Sequence, residues 1–276
     1  MIAILSVSVF VLGLLVGSFL NVVILRYNTG HSISHGRSEC LSCATLLKWY
    51  ELFPIVSFIV LRGRCRTCKV NLRIQYPLTE IATGILFYVI ATNIFALPIT
   101  IATAVIISVF YAIIVSILVV IFVYDLYHKI IPNGLVYAFI FLSFAQLFFS
   151  LSGTGLTFAI PNLISLLAGP AIFLPFFLLW FVSRGTWMGF GDAKLAIGIG
   201  WMLGVSLGFS AIILAFWVGA AVSLVLLAVQ RLFGNRTLTF KSEIPFAPFL
   251  IIGFLVVLLC RWDVLTIGGF LATYFI

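Results

Sequence analysis

From Ile2 to Leu25 the chain runs without a single charged side chain, and runs of the same kind recur to its end. A helix of about 20 apolar residues crosses the ~30 Å hydrocarbon layer of a bilayer, so each run is a candidate span. Hydrophobic residues make up 64% of the chain and charged residues 8%. Soluble domains hold about 45–50% and 25%, and a water-soluble core cannot absorb the difference. The first run has no basic residues ahead of it and exceeds the apolar region of a signal peptide, so it reads as a permanent span. Further spans fall near 78–97, 99–124, 135–152, 160–182, 193–205, 207–230 and 245–260. Gly198, Gly200, Gly204 and Gly208 interrupt the stretch 193–230, and its division decides between seven and eight spans. The predicted fold is an all-α polytopic membrane protein of seven or eight transmembrane helices with a small zinc-binding cytosolic domain. No repeat at solenoid spacing and no low-complexity linker is evident.

The formal net charge of +8 would suit a nucleic-acid binder, but the placement of the charges points elsewhere. Arg26, Arg37, Lys48, Arg62, Arg64, Arg66, Lys69 and Arg73 precede the second span; Lys129, Arg184, Lys194, Arg231, Arg236 and Lys241 follow at later turns. With eight spans all of these fall on one side, and only Arg261 falls on the other. The positive-inside rule makes the charged side cytosolic and the N-terminus external. The basic excess is thus a topology signal, with attraction to anionic membrane lipids second and no nucleic-acid partner.

Between the first two spans lies a segment of roughly 50 residues, the one plausible extramembrane module. It holds Cys40-Leu-Ser-Cys43 and Cys65-Arg-Thr-Cys68, with 21 residues between the pairs. Two such pairs let four thiolates converge on one tetrahedral zinc ion, with neighbouring amides hydrogen-bonding the sulfurs. Two disulfides are the alternative, but a cytosolic module sits in a reducing compartment. So short a segment lacks the apolar mass for its own core, and structural zinc would supply much of its folding energy. Two readings are open for the uncharged run Leu52 to Leu61: a re-entrant or interfacial segment, with Trp49 and Tyr50 at headgroup level, or a small core packed on the metal site. Cys260 reads as a small buried apolar residue.

The chain has only seven acidic residues, so each can be weighed. Asp125 closes the apolar run from Ile117, and Asp192 lies in Met188-Gly-Phe-Gly-Asp-Ala-Lys194 at the start of a later span. A carboxylate in a span costs about 2.5–3.5 kcal/mol on insertion scales, which invites a functional explanation. Two aspartates brought side by side share one proton. The ionised one can then take a proton from water while the protonated one hydrogen-bonds a scissile carbonyl. Such a dyad titrates as a unit, and neither member has a separate role. Gly189 and Gly191, without Cβ atoms, allow an extended substrate backbone or an unusual turn beside Asp192. Lys194 could bias the dyad or serve as a positive-inside anchor. The bland alternatives are a surface pair of Asp125 with Lys129 and an N-cap role for Asp192.

The ordered motifs resemble those of the type IV prepilin peptidase family over nearly the whole chain. They are Gly17-Ser-Phe-Leu-Asn-Val-Val-Ile-Leu-Arg26; the paired CxxC module with Trp49, Glu51, Pro54 and Leu61-Arg-Gly-Arg-Cys65; Tyr76-Pro-Leu-Thr-Glu80; Asp125 followed by Ile131-Pro132; Gly189-Phe-Gly-Asp-Ala-Lys-Leu195; and Ile244-Pro-Phe-Ala-Pro-Phe249. The resemblance implies an aspartic endopeptidase of the bacterial cytoplasmic (inner) membrane with Asp125 and Asp192 as its dyad and Cys40, Cys43, Cys65 and Cys68 on zinc. It also implies prepilin or pseudopilin substrates, cut on the cytosolic side, and N-methylation of the new terminus with S-adenosylmethionine as donor. On this reading 1–25 is the first span, 26–76 the zinc module associated with methyl transfer, and 77–276 the embedded peptidase. The chain departs from the family at Arg26-Tyr27-Asn28, in the polar stretch 31–39, and at Ala247, which replaces a glycine. Asn21, Arg26, Glu51 and Glu80 are candidates for the methyl-donor site. Their alternatives are an interhelical hydrogen bond for Asn21, a cytosolic anchor for Arg26 and ion pairs for the two glutamates.

Two other functions fit parts of this pattern. Tyr124-Asp125 with the GxGD tetrapeptide suits a presenilin-like or preflagellin-type protease without methyl transfer, although the cysteine module and the Gly17–Arg26 motif oppose it. An ion-coupled transporter could use the aspartates as a cation site, although no repeated pair of broken spans supports it.

Overall fold

The computed structural model describes residues 2–30, 32–33, 35–233 and 245–264; Arg236, Lys241 and Ile244 lie outside the described residues. Hydrocarbon offers backbone groups no water partner, so each crossing closes its hydrogen bonds internally as a helix. The described helices are α1 (Ile2–Arg26), α2 (Val56–Val60), α3 (Gln75–Phe95), α4 (Ile101–His128), α5 (Asn133–Gln146), α6 (Leu163–Ser183), α7 (Phe190–Phe233) and α8 (Ala247–Cys260). Among the described residues five segments are long and apolar enough to cross a membrane, and α5 and α8 are shorter apolar helices, so the chain is a multi-pass membrane protein. It divides into two compact units, Met1–Val123 and Tyr124–Ile276.

In the first unit α1 and α3 touch backbone to backbone. A Cβ on Gly13 would lie 2.7 Å from the Gly84 Cα, and one on Gly17 would lie 2.8 Å from the Glu80 Cα. This is the small-residue spacing that lets membrane helices approach closely. One turn further, the Asn21 side chain donates to the Tyr76 carbonyl at 3.2 Å, the interhelical bond anticipated for it.

In the second unit α7 packs on α5, α6 and α8. Gly204 breaks it, with φ 80° and ψ −177°. A Cβ on Gly208 would stand 3.7 Å from the Gly200 Cα. Eight residues of straight helix rise about 12 Å, so the chain folds back at Gly204 into the two segments expected over 193–205 and 207–230. Pro170, inside α6, has no N–H to give the Leu166 carbonyl. The Trp201 indole N–H takes that place at 3.0 Å, so α7 repairs the hydrogen-bond ladder of α6. Near the turn, Ser206 and Ser210 donate to the Asp263 carboxylate at 2.6 and 2.9 Å and tie the chain beyond α8 to α7.

The span expected over 135–152 is shorter in the structure. Helix α5 stops at Gln146, and β1 (Phe149–Ser152) pairs antiparallel with β2 (Gly155–Phe158). Alternating apolar and polar residues around Gly153, at φ 60°, favour a hairpin over further helix. Cys260 at the end of α8 is exposed rather than buried, because the helix ends there.

Candidate active site and metal centre

Asp125 sits in the last turn of α4 and Asp192 in the first turn of α7, and both are buried, at 4% and 6% exposure. They are within electrostatic reach of each other. The Ala247 N–H, first in α8, donates to Asp125. Asp192 is not the N-cap of α7. It occupies the third helical position, its backbone N–H donating to the Gly189 carbonyl at 3.2 Å while its carboxylate accepts from the Gly189 N–H. One oxygen of each acid, Asp125 Oδ2 and Asp192 Oδ1, is buried without a partner. Every other described carboxylate lacks such an orphan oxygen, and Asp125 forms no ion pair with Lys129.

The glycines of the motif differ in use. A Cβ on Gly191 would lie 2.9 Å from both Cβ and Cδ1 of Ile131, whereas one on Gly189 would meet Asp192 Oδ2 at an ordinary 3.6 Å. Gly191 therefore lets the segment after Asp125 lie flat on the one that carries Asp192. Ile131 is visible in the sequence beside Pro132, but nothing there pairs it with Gly191. Lys194 turns to Asn133 Oδ1 at 2.9 Å and lies over the Tyr137 and Phe190 rings, engaged away from the carboxylates.

The four cysteines of the module converge, with all sulfurs within 4.8 Å of one another and none in a disulfide. Cys40 Sγ and Cys68 Sγ are 3.8 Å apart. Tetrahedral Zn–S bonds of about 2.3 Å place sulfurs about 3.8 Å apart, so the cluster fits zinc. The two pairs sit on matching turns offset by 25 residues. Cys40 N–H bonds Thr45 O as Cys65 N–H bonds Val70 O. Ala44 and Lys69, both with positive φ, return N–H bonds to the first cysteine of each pair. The bridge Glu39–Leu46 recurs as Arg64–Asn71. Amides and the Thr45 hydroxyl point at the sulfurs. The Thr45 hydroxyl and amide draw the Cys43 thiol down to about 6, and the Cys68 and Thr67 amides lower that of Cys65. At Cys43 and Cys65 such donors favour the thiolate, the form that binds metal.

The four methyl-donor candidates are largely committed to the protein. Arg26 spends its guanidinium on the carbonyls of Ser32, His35 and Arg37. Glu51 pairs with Arg66 at 3.0 Å, as its bland reading anticipated. Glu80 finds no cation; it accepts the Ile55 N–H at 2.8 Å and the Ser18 hydroxyl. Asn21 keeps Oδ1 buried and unpartnered, as does Gln75 its Nε2, a residue sequence reasoning did not single out.

Residues 11–94 match the family model of the bacterial peptidase A24 N-terminal domain, and residues 112–224 match that of the type IV leader peptidase family. The chain is similar to prepilin leader peptidase/N-methyltransferases. That of Burkholderia pseudomallei is 31% identical over 271 residues, covering 88% of this chain and 81% of the relative. That of Bacillus subtilis is 29% identical over 240 residues, covering 87% and 88%. A shorter match, 52% identical over 83 residues, covers 30% of this chain and 25% of the Myxococcus xanthus protein. No solved structure matches the chain.

Proposed function

The chain belongs to the type IV leader peptidase family, and from that premise we propose that it removes the short leader of type IV prepilins or pseudopilins, with Asp125 and Asp192 as catalytic pair. The observation that carries this reading is the pair itself. Two buried carboxylates from separate helices each have one oxygen held by a backbone N–H and the other without a partner. One member takes a proton from water as the oxygen attacks the scissile carbonyl. The other donates a hydrogen bond to that carbonyl, and a proton then passes to the leaving amine. On this reading the chemistry lies at the cytosolic face of the bacterial inner membrane, a side that the positive-inside rule and the basic side chains of the turns support.

The second half of the proposal is N-methylation of the trimmed substrate, the activity joined to the peptidase in the relatives' names. Residues 26–76 form the module associated with it, which zinc on the converging Cys40, Cys43, Cys65 and Cys68 would staple, and residues 77–276 the peptidase. S-adenosylmethionine would supply the methyl group. Of the residues considered for holding it, Asn21 retains an unpartnered buried atom, and Gln75 joins it.

The test incubates purified protein with a prepilin peptide and S-adenosylmethionine and weighs the products. One mass change reports cleavage and another methylation. Asp125→Asn and Asp192→Asn should each slow cleavage by roughly 10²–10⁴-fold, the usual share of acid–base catalysis, in a protein that still folds. Full activity in either variant overturns the assignment.

A further inference from the structure

The uncharged run of the cysteine module is largely uncovered: of residues 52–61 only Pro54 is buried. Neither the 3₁₀ turn Trp49–Leu52 nor α2 contains a buried residue. Trp49 is 73% exposed, Ile59 67% and Val60 73%, and Phe53 and Val56 are exposed beside them. A small module that leaves such side chains uncovered presents an apolar crest, the mark of a membrane or partner surface.

Two carboxylates hold that crest in place. Glu51 bonds Arg66, between Cys65 and Cys68, and accepts the Lys48 N–H at 2.7 Å. Glu80 of α3 accepts the Ile55 N–H. Ile55 has φ 60° and ψ −49°, at the centre of a tight turn closed by Val56 N–H on Pro54 O. A β-branched residue holds that conformation only where its surroundings impose it. The crest is thus anchored both to the metal turn and to a membrane helix.

Charge and tether identify the occupant. Lys48, Arg62 and Arg64 are exposed and flank the crest, and residues 26–76 hold eight basic side chains against two acidic ones. A substrate with a basic leader is repelled by such a rim, whereas anionic phospholipid is attracted. Helix α1 ends at Arg26 and α3 begins at Gln75, so both ends of the module join membrane-spanning helices. We propose that the crest docks on the anionic lipid surface of the bilayer the chain spans. The apolar side chains enter the acyl boundary, Trp49 lies at headgroup level, and the basic rim meets lipid phosphates. The inference is independent of the peptidase reading.

The test places full-length protein in nanodiscs of phosphatidylcholine, with or without phosphatidylglycerol, carrying brominated acyl chains. The difference between wild type and Trp49→Phe isolates the Trp49 emission. Loss of that emission by bromine quenching is expected, stronger with phosphatidylglycerol and weakened by salt. Arg62→Gln with Arg64→Gln should erase the phosphatidylglycerol preference. Ile59→Glu with Val60→Glu should abolish quenching while the protein keeps its zinc; should that pair fail to fold, the arginine pair and the lipid comparison still decide. Trp49 unquenched in both lipids overturns the proposal, and so does equal quenching in the two. A response to prepilin peptide instead of brominated lipid, or one that requires two chains per disc, overturns it in favour of a substrate or self-association surface.

Discussion

Gly191→Ala is the substitution that most directly tests how the site is assembled. An alanine Cβ there would stand 2.9 Å from Ile131 Cβ and Cδ1 and 3.3 Å from Cγ1. Carbon atoms in ordinary contact are about 3.5–4.0 Å apart, so one segment must yield by roughly 0.6–1 Å. Overpacking of this kind costs about 1–3 kcal/mol, and replacing a helical glycine with alanine returns up to ~1 kcal/mol. Net destabilisation should be no more than about 3 kcal/mol, and the protein should still fold. The displacement falls between the segment after Asp125 and the one carrying Asp192. A misplacement of ~1 Å between reacting groups lowers rates by about 10²-fold. Peptide cleavage followed by mass spectrometry, beside a thermal melt, separates the two effects. Ile131→Gly removes all three atoms that the new Cβ would strike, so the double variant should recover most of the lost activity. Full activity in Gly191→Ala would refute the reasoning. A loss that Ile131→Gly leaves untouched, in a protein that melts normally, would move the role of Gly191 to substrate approach.

Three further outcomes follow from the same structure. Cys65→Ser should strip zinc from the purified protein, read by elemental analysis, and open residues 26–76 to proteolysis, since structural zinc supplies about 10 kcal/mol or more to such modules. Ala44→Gly should slow chelator-induced zinc release by about threefold, because the left-handed backbone at Ala44, φ 52°, costs ~1–2 kcal/mol for alanine and glycine's unfolded-state entropy offsets ~0.4–1 of that. Trp201→Phe should lower stability by about 1–3 kcal/mol by orphaning the Leu166 carbonyl, and Pro170→Ala in the same chain should restore it by supplying the missing N–H, as thermal melts would show.

The apolar runs made the spans legible, because a bilayer imposes a length and a composition that few other environments demand. The metal turns were legible as CxxC pairs 25 residues apart, but that both pairs adopt the same turn shows only in the hydrogen bonds that Ala44 and Lys69 repeat. The hairpin at 149–158 escaped because its strands are as apolar as the helices around them; the alternation Phe149-Ser-Leu-Ser152 and the glycine beyond it were the available signal. Gly204 was visible as one of four glycines, yet only its positive φ distinguishes it as the turn. The fit of Gly191 to Ile131, 60 residues away, is a tertiary fact with no local trace.

The acidic residues show how the site separates itself from its surroundings, and they bear on the transporter alternative. Glu51 is matched by an arginine, Glu80 by a backbone N–H and Asp263 by two serine hydroxyls. Among the described acids, Asp125 and Asp192 alone are left with buried, unpartnered oxygens facing a like charge, which a merely structural pair would have no reason to keep. Such a pair could in principle seat a cation. The groups that hold it argue otherwise: its neighbours are the Gly189 N–H at the start of α7 and the Ala247 N–H at the start of α8. Helix N-termini carry partial positive charge, and a cation between these two would be opposed by both. The last turn of α4, which carries Asp125, sets one helix C-terminus against these two N-termini, so the three together still disfavour a cation. Donors at both carboxylates, with one free oxygen on each, suit instead a water molecule and the carbonyl it attacks.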